Sequence, residues 1–266
     1  MTITLPLLRP DWPAPPGVQA AMSTREGGVS AAPWQSLNLG VAVGDDAVAV
    51  AHNRALFAAA LGARPIWLRQ VHGACVRKLR AAHLARPEDP AEDPADAAWT
   101  DEPGIACTVQ VADCLPVLFA ARDGRAVAAA HAGWRGLAAG VIEATLQALQ
   151  QGAGVAPADV VAWLGPCIGA RQFEVGADVL HAFAEAVDAS CFVPRNRADG
   201  SVRWLADLQQ LAERRLMRAG VGSVSVLPLC TVEDGSRFFS FRRSAVTGPS
   251  RPAGPTGRMA AAIFLR

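Results

Sequence analysis

Three residues in this chain have side chains and settings suited to holding a metal ion: His72 in RQVHG, Cys114 in VADCLP and His131 in HAGWRG. Two imidazoles and a thiolate suit zinc, and three protein ligands leave a fourth position open, which is the arrangement of a catalytic site rather than a structural one. Spread over about 60 residues, the spacing is not that of a zinc finger or ribbon. The same residues admit a second chemistry, a thiolate and imidazole pair of Cys114 and His131 oriented by Asp113. A tightly held metal and a free nucleophile exclude each other at these atoms, so the two readings are alternatives.

Arginines form a second constellation. Arg25 in STREGGVS, Arg69 in RQVHG, Arg135 in HAGWRG and the pair Arg242 and Arg243 in FFSFRR all stand beside turns or aromatic residues. A planar guanidinium in a concave site clamps phosphate or carboxylate, and Arg25 and Arg135 are the stronger candidates. The glycine-rich stretches EGGVS (26–30) and GPCIG (165–169) look like anion loops, but neither contains a P-loop lysine, and Lys78 is the single lysine in the chain. Walker-type nucleotide binding is therefore disfavoured, and Cys167 in GPCIG is expected to be a buried filler. His52 and His181 fall inside helical patterns and His83 precedes an acidic stretch, so these three are read as structural or surface residues. Five histidines cannot supply the roughly ten imidazole ligands of a multicopper oxidase.

Positioning these residues calls for a mixed α/β framework, because short Val- and Ile-rich runs alternate with segments of helical period. Strands are expected at 18–23, 66–72, 115–121, 126–131, 160–164, 223–227 and 259–265, and helices at 47–62, 137–151, 175–187 and 204–220. His72 then closes one strand, Cys114 precedes another and His131 closes a third, the places where α/β folds put their sites. The Pro- and acid-rich stretch 85–99 reads as an exposed loop inside one domain spanning 1–266, with 1–17 an N-terminal extension.

At 266 residues and 51% hydrophobic content the chain can bury a large core. Its 25 basic and 24 acidic residues leave a net charge of +1, so no electrostatic footprint for nucleic acid or an anionic membrane is present. No apolar run approaches the roughly 20 residues of a membrane span and no leader pattern opens the chain, so a cytoplasmic enzyme of small molecules is expected. The six cysteines form no CxxC pair, as suits a reducing compartment.

In order, STREGGVS, SLNLG, VGDD, RQVHG, ADCLPVLF, HAGWRG, GPCIG, FEVG, CTVED, FFSFRR and TGRMAAAI resemble the YfiH family, also called the laccase-domain or multicopper polyphenol oxidase family and, in bacteria, the peptidoglycan editing factor. The resemblance implies a single layered α-β-β-α sandwich related to the catalytic domain of the cytotoxic necrotizing factor toxins. It implies zinc on His72, Cys114 and His131, with copper a possible alternative occupant. It also implies phosphorolysis of adenosine, inosine, guanosine and methylthioadenosine, together with adenosine deamination. For that reaction Arg25 and Arg135 are assigned to phosphate, Asn38 to the sugar or base, and Trp134 to stacking on the purine. Asp113, Glu174 and Glu233 are the carboxyl candidates for proton donor. The alternatives are a cysteine hydrolase or amidase built on Cys114 and His131, or a non-catalytic factor in peptidoglycan precursor editing.

Overall fold

Every central strand of this protein is buried on both faces, and its side chains alternate between two different cores. The coordinates are a computed structural model, described over residues 5–85, 94–183, 189–245 and 254–266. In chain order its elements are β1 (Leu7–Leu8), β2 (Val18–Ser23), α1 (Ala47–Leu61), β3 (Arg64–Ile66), β4 (Val76–Lys78), β5 (Ala97–Thr100), β6 (Ile105–Val111), β7 (Leu115–Ala121) and β8 (Val127–Ala132). There follow α2 (Trp134–Ala138), α3 (Val141–Ala153), β9 (Val160–Leu164), β10 (Glu174–Val175), α4 (Ala177–Ala182), β11 (Phe192–Asn196), β12 (Val202–Ala206), α5 (Leu208–Arg218), β13 (Ser223–Val226), α6 (Phe241–Ala245) and β14 (Met259–Leu265).

Two large sheets result, one in the order β1-β2-β14-β6-β3 and one in the order β13-β9-β7-β8-β5-β4, with a small antiparallel sheet β10-β12-β11 beside them. Along β14, Met259, Ala261 and Ile263 enter a core shared with Leu118, Ala129 and Trp163 of the six-stranded sheet, which is where the two sheets pack face to face. Ala260, Ala262 and Phe264 point the other way, onto Phe57 and Leu61 of α1. The far face of the second sheet, carrying Val117, Phe119, Ala128 and Ala130, packs on Ile142, Leu146 and Leu149 of α3 and on Leu211 of α5. The layers are thus helix, sheet, sheet, helix, as expected for a mixed α/β domain. Among the described residues no helix is long and apolar enough to cross a membrane.

The structure departs from several sequence-based expectations for local reasons. The strand expected over 66–72 stops at Ile66, because beyond it the side chain of Gln70 takes over the pairing: its amide donates to Gln110 O (2.9 Å) and its oxygen accepts from Gln110 N (2.7 Å). The helix expected over 137–151 is broken at Gly140, whose φ of 88° caps α3 from outside the helical region. Of the helix expected at 204–220, the first residues belong to β12, and Asp207 caps α5 by accepting from Gln210 N. The helix expected over 175–187 is seen as α4, and residues 184–188 lie outside the described residues.

The acidic stretch 85–99 is not an exposed loop throughout. Residues 86–93 lie outside the described residues, but Asp96 is fully buried and Ala97–Thr100 form β5 inside the second sheet. The N-terminal extension contributes β1, in register with β2 through Leu7 opposite Ser23.

Candidate metal centre and its cavity

His72, Cys114 and His131 reach one point from three directions, each held by a different device. His131 stands on β8, where it opposes Pro116 of β7. Cys114 directly precedes β7 and follows Asp113, whose φ of 89° turns the chain sharply. That turn is secured because Asp113 accepts from Thr231 Oγ1 (2.6 Å) and from Arg242 N (2.6 Å), while its carbonyl accepts from Ile168 N (2.9 Å). His72 also has a positive φ, 62°, in a turn that no ladder supports. Its support is Asp96, which accepts from the backbone N–H groups of Val71 (3.0 Å), His72 (2.8 Å) and Gly73 (2.7 Å).

Asp96 also sets the third ligand. Its Oδ1 lies 2.8 Å from His131 Nδ1 and its carbonyl accepts from His131 N at 2.7 Å. A carboxylate there holds the ring proton on Nδ1 and leaves Nε2 for the cluster, the outer-shell arrangement common to metal-ligating histidines. The glycines of HAGWRG are needed for close approach: a Cβ on Gly133 would stand 2.8 Å from Cys114 Sγ, and one on Gly136 would stand 2.8 Å from Gly73 O.

The donor atoms of the three residues lie within 4.8 Å of one another, Cys114 Sγ and His72 Nε2 being 3.8 Å apart. Tetrahedral zinc with bonds of about 2.0 to 2.3 Å needs separations of about 3.5 Å, so side-chain shifts of under about 1 Å close the set. Among the described residues this is the one group of His, Cys and acidic side chains that could share an ion. Burial alone would raise the Cys114 thiol, but the neighbouring His131 and His72 outweigh it and bring it down to about 6. Burial likewise opposes charge on His131, yet Cys114 and Asp96 raise it to about 9. The pair therefore favours a thiolate, the form that binds a metal. Asp96 is held below the usual carboxylate range, its burial outweighed by His131 and the backbone N–H groups of Gly73 and Val71. The residues present thus fit a zinc ion in number, softness and outer-shell support.

The cluster opens onto a cavity of about 770 Å³, large enough for a drug-sized ligand. Trp134, Phe173 and Phe241 give it apolar walls, and Arg54, Arg69, Arg135, Arg242 and Arg258 all line it. Among the described residues its one lining carboxylate is Asp113, and both oxygens of that group accept hydrogen bonds as described.

The other anticipated residues divide clearly. Trp134 and Arg135 line the cavity, Arg135 stacking its guanidinium 4.4 Å from the Trp134 ring. Arg25 does not reach it. Its guanidinium donates twice to Gln35 O and once to Gly235 O, so the phosphate role expected of it is replaced by bracing two loops. Asn38 is fully buried and holds the loop at Gly40 and Asp45 while accepting from Arg258 N, which leaves nothing for a sugar or base. Arg243 donates to three carbonyls, those of Thr231, Val232 and Phe238. Of the carboxyl candidates for proton donor, Glu174 pairs with Arg195 and Arg197 on the small sheet and Glu233 pairs with Arg171. Neither lines the cavity, and Asp113 has no free oxygen. Cys167 is buried, with its thiol pushed well up by that burial. His52 and His181 are exposed and His83 is half-buried, and none of the three lines the cavity.

Asp96, Arg54 and Arg258 were missed. Asp96 sits among Pro, Asp and Glu residues that resemble loop composition, and the only clue was the run AAW directly after it. Arg258 precedes the last strand in TGRM, a position that reads as a turn.

A family model described as multi-copper polyphenol oxidoreductase laccase matches residues 19–266. The purine nucleoside phosphorylase PA4543 of Pseudomonas aeruginosa is 49% identical over 243 residues, covering 91% of this chain and 94% of its own. The purine nucleoside phosphorylase YfiH of Escherichia coli strain K12 is 46% identical over 264 residues, covering 97% and 98%. Among solved structures, Neisseria meningitidis protein NMB0706 superposes with a TM-score of 0.84 at 44% identity, covering 97% of this chain and 98% of that one. YlmD from Geobacillus stearothermophilus gives 0.83 at 30% identity, covering 98% and 99%.

Proposed function

Because this chain belongs to the YfiH family, whose model matches it from residue 19 to 266, we propose that it is a zinc-dependent purine nucleoside phosphorylase working in the cavity beside His72, Cys114 and His131. The observation that carries this reading is the pairing of a His–Cys–His cluster with a cavity holding five arginines and no free carboxylate. Phosphorolysis brings an anionic nucleophile to C1′ while positive charge develops on the ribose and the purine departs. The cavity therefore has to attract phosphate, hold the nucleoside by its flat base and keep both aligned. Trp134 offers an aromatic face for the purine at the cavity wall, with Arg135 beside it as a donor to an anion or to the base. Since no carboxylic acid is free among the described lining residues, guanidinium N–H groups are among the donors, with the Trp134 indole and the Gln110 amide, that can hydrogen-bond the departing base.

His72, Cys114 and His131 would hold the metal. When bound, zinc supplies a Lewis acid beside the cavity, the chemistry shared by phosphorolysis of adenosine, inosine, guanosine and methylthioadenosine and by deamination of adenosine. Copper is an alternative occupant of the same donors by the divalent affinity order. Five histidines do not make a multicopper centre, so the polyphenol oxidase activity in the family's description is disfavoured.

Chromatography of inosine incubated with zinc-loaded protein tests the reading. Hypoxanthine and ribose 1-phosphate should appear only with phosphate present and only with Cys114 intact, Cys114→Ser being the control. No product from protein shown to contain zinc would sink it.

One observation favours a second reading. Asp96, His131 and Cys114 also form the acid–imidazole–thiol order of a cysteine hydrolase, with Asp96 in the role that the sequence had suggested for Asp113. An amidase acting on peptidoglycan precursors would use that order. Alkylation separates the two: metal-held Cys114 resists iodoacetamide until a chelator is added, whereas a nucleophilic Cys114 reacts at once and works in chelator.

A further inference from the structure

The charge of the cavity is out of proportion to that of the chain. Overall the protein carries a net charge of +1, yet five arginines and one fully occupied aspartate face this one space. Guanidinium groups gathered in a recess repel one another and lose hydration, a cost that an entering oxyanion offsets.

Three of the five are otherwise engaged or peripheral. Arg54 donates through Nε to Leu39 O and lies 4.0 Å over the Trp67 ring. Arg135 and Arg69 are exposed, the former stacked on Trp134. Arg258 and Arg242 differ in a shared way, since each is fixed at one end and open at the other.

Arg258 donates through Nη1 to Thr256 O (3.1 Å) and Gly257 O (3.2 Å), and its backbone N–H is held by Asn38. Its stem passes so close to Gly40 that a Cβ there would be 2.7 Å from Cγ. Arg258 lines the same cavity as His72, Cys114 and His131, which puts its side chain on the space beside the cluster. Arg242 donates through Nη1 to Gln172 O (3.1 Å), and its backbone N–H donates to the Asp113 carboxylate that flanks Cys114. Nε and Nη2 of both arginines make no hydrogen bond among the described residues, although the Arg242 guanidinium also lies 5.7 Å over the Phe173 ring. Two forks already immobilised, with donors left over, are what planar recognition of an oxyanion requires.

We propose that Arg258 and Arg242 form the phosphate subsite of this cavity and seat free inorganic phosphate beside Cys114. The assignment rests on the phosphorylase reading for the identity of the anion. It reassigns the phosphate from Arg25 and explains why Asn38 and Gly40 are built around Arg258.

The test measures binding of inorganic phosphate to the zinc-loaded protein by calorimetry without nucleoside, and the KM for phosphate and for inosine separately. Arg258→Gln and Arg242→Gln should each weaken phosphate binding and raise the phosphate KM by about tenfold or more, with the inosine KM within about threefold. Arg171→Gln, which removes a surface charge paired with Glu233, should change neither. The Arg242 guanidinium is held by one carbonyl and the Phe173 ring, with its backbone bond to Asp113 untouched by substitution, so its variant is informative even if Arg258→Gln fails to fold.

Phosphate affinity unchanged in both variants would overturn the proposal while leaving phosphorolysis untouched. An equal loss in Arg171→Gln would also overturn it, by showing a diffuse charge effect. Inosine 5′-monophosphate binding far more tightly than phosphate, and losing that advantage in both variants, would assign the forks to a nucleotide phosphate instead. Phosphate binding lost in both variants of a protein that splits no nucleoside would uphold the subsite and reject the phosphorylase.

Discussion

Asp96 joins two of the three candidate metal ligands through one carboxylate, which accepts from the backbone N–H groups of the His72 turn and from the ring of His131. Asp96→Asn keeps the shape but turns a donor toward donors. Zinc affinity should fall about 10- to 100-fold, read by competition with a chromophoric chelator. Gly133→Ala should weaken zinc by about tenfold or more, because its Cβ would displace Cys114 Sγ, while the Tm of the zinc-free protein stays within about 3 °C; a large Tm loss would show that Gly133 serves folding instead. At this scale His72, Cys114, His131 and Trp134 were legible, since soft ligands and an aromatic set among glycines have few structural uses. Arg25 and Asn38 misled because a polar residue beside glycines can equally be satisfied by loop backbone groups, and which of these occurs depends on residues up to 220 positions away. Asp96 was hidden by acidic neighbours that do share loop composition.

Between elements, α3 lies close against β5 at Gly152. A Cβ on Gly152 would stand 2.1 Å from the ring of Trp99, itself nearly buried. Helix propensity favours Gly152→Ala by about 1 kcal/mol, but overpacking costs about 1–3 kcal/mol. The expected outcome is a net loss of stability, seen as a lower midpoint in urea; a raised midpoint would mean that Trp99 moves aside freely. The same contact shows why the framework was only partly legible. Runs such as VAAAHA and MAAAIFL carry alanine, a strong helix former, yet they are central strands, because small side chains let each sheet be covered on both faces. Their positions were readable from length and Val or Ile content. β5 was not, since its burial arises from neighbours on β4 and β8 rather than from its own four residues.

Across the molecule, a near-neutral surface surrounds a cationic recess. Exposed charge is screened within about 8–10 Å at physiological salt, whereas a recess is screened less but recruits its ligand through the same field. Raising NaCl from low to about 0.5 M should therefore lift the KM for phosphate severalfold and leave that for inosine nearly constant. Equal sensitivity of both would remove electrostatic recruitment from the account.

The strand order also sets a timetable for synthesis. β14 ends one residue before Arg266, yet lies between β2 and β6 in the middle of its sheet. A ribosome that has completed residue 258 has thus made both neighbours of a strand that does not yet exist, with Val109 and Met22 still lacking their pairing partner Ala261. The first sheet cannot close until residues 259–265 have been made, and Arg258, one of the two arginines assigned to phosphate, is drawn into place by the same strand. A stalled or clipped product that stops short of residue 259 exposes two unpaired strand edges, so it should be a target for chaperones and proteases rather than a weakened enzyme.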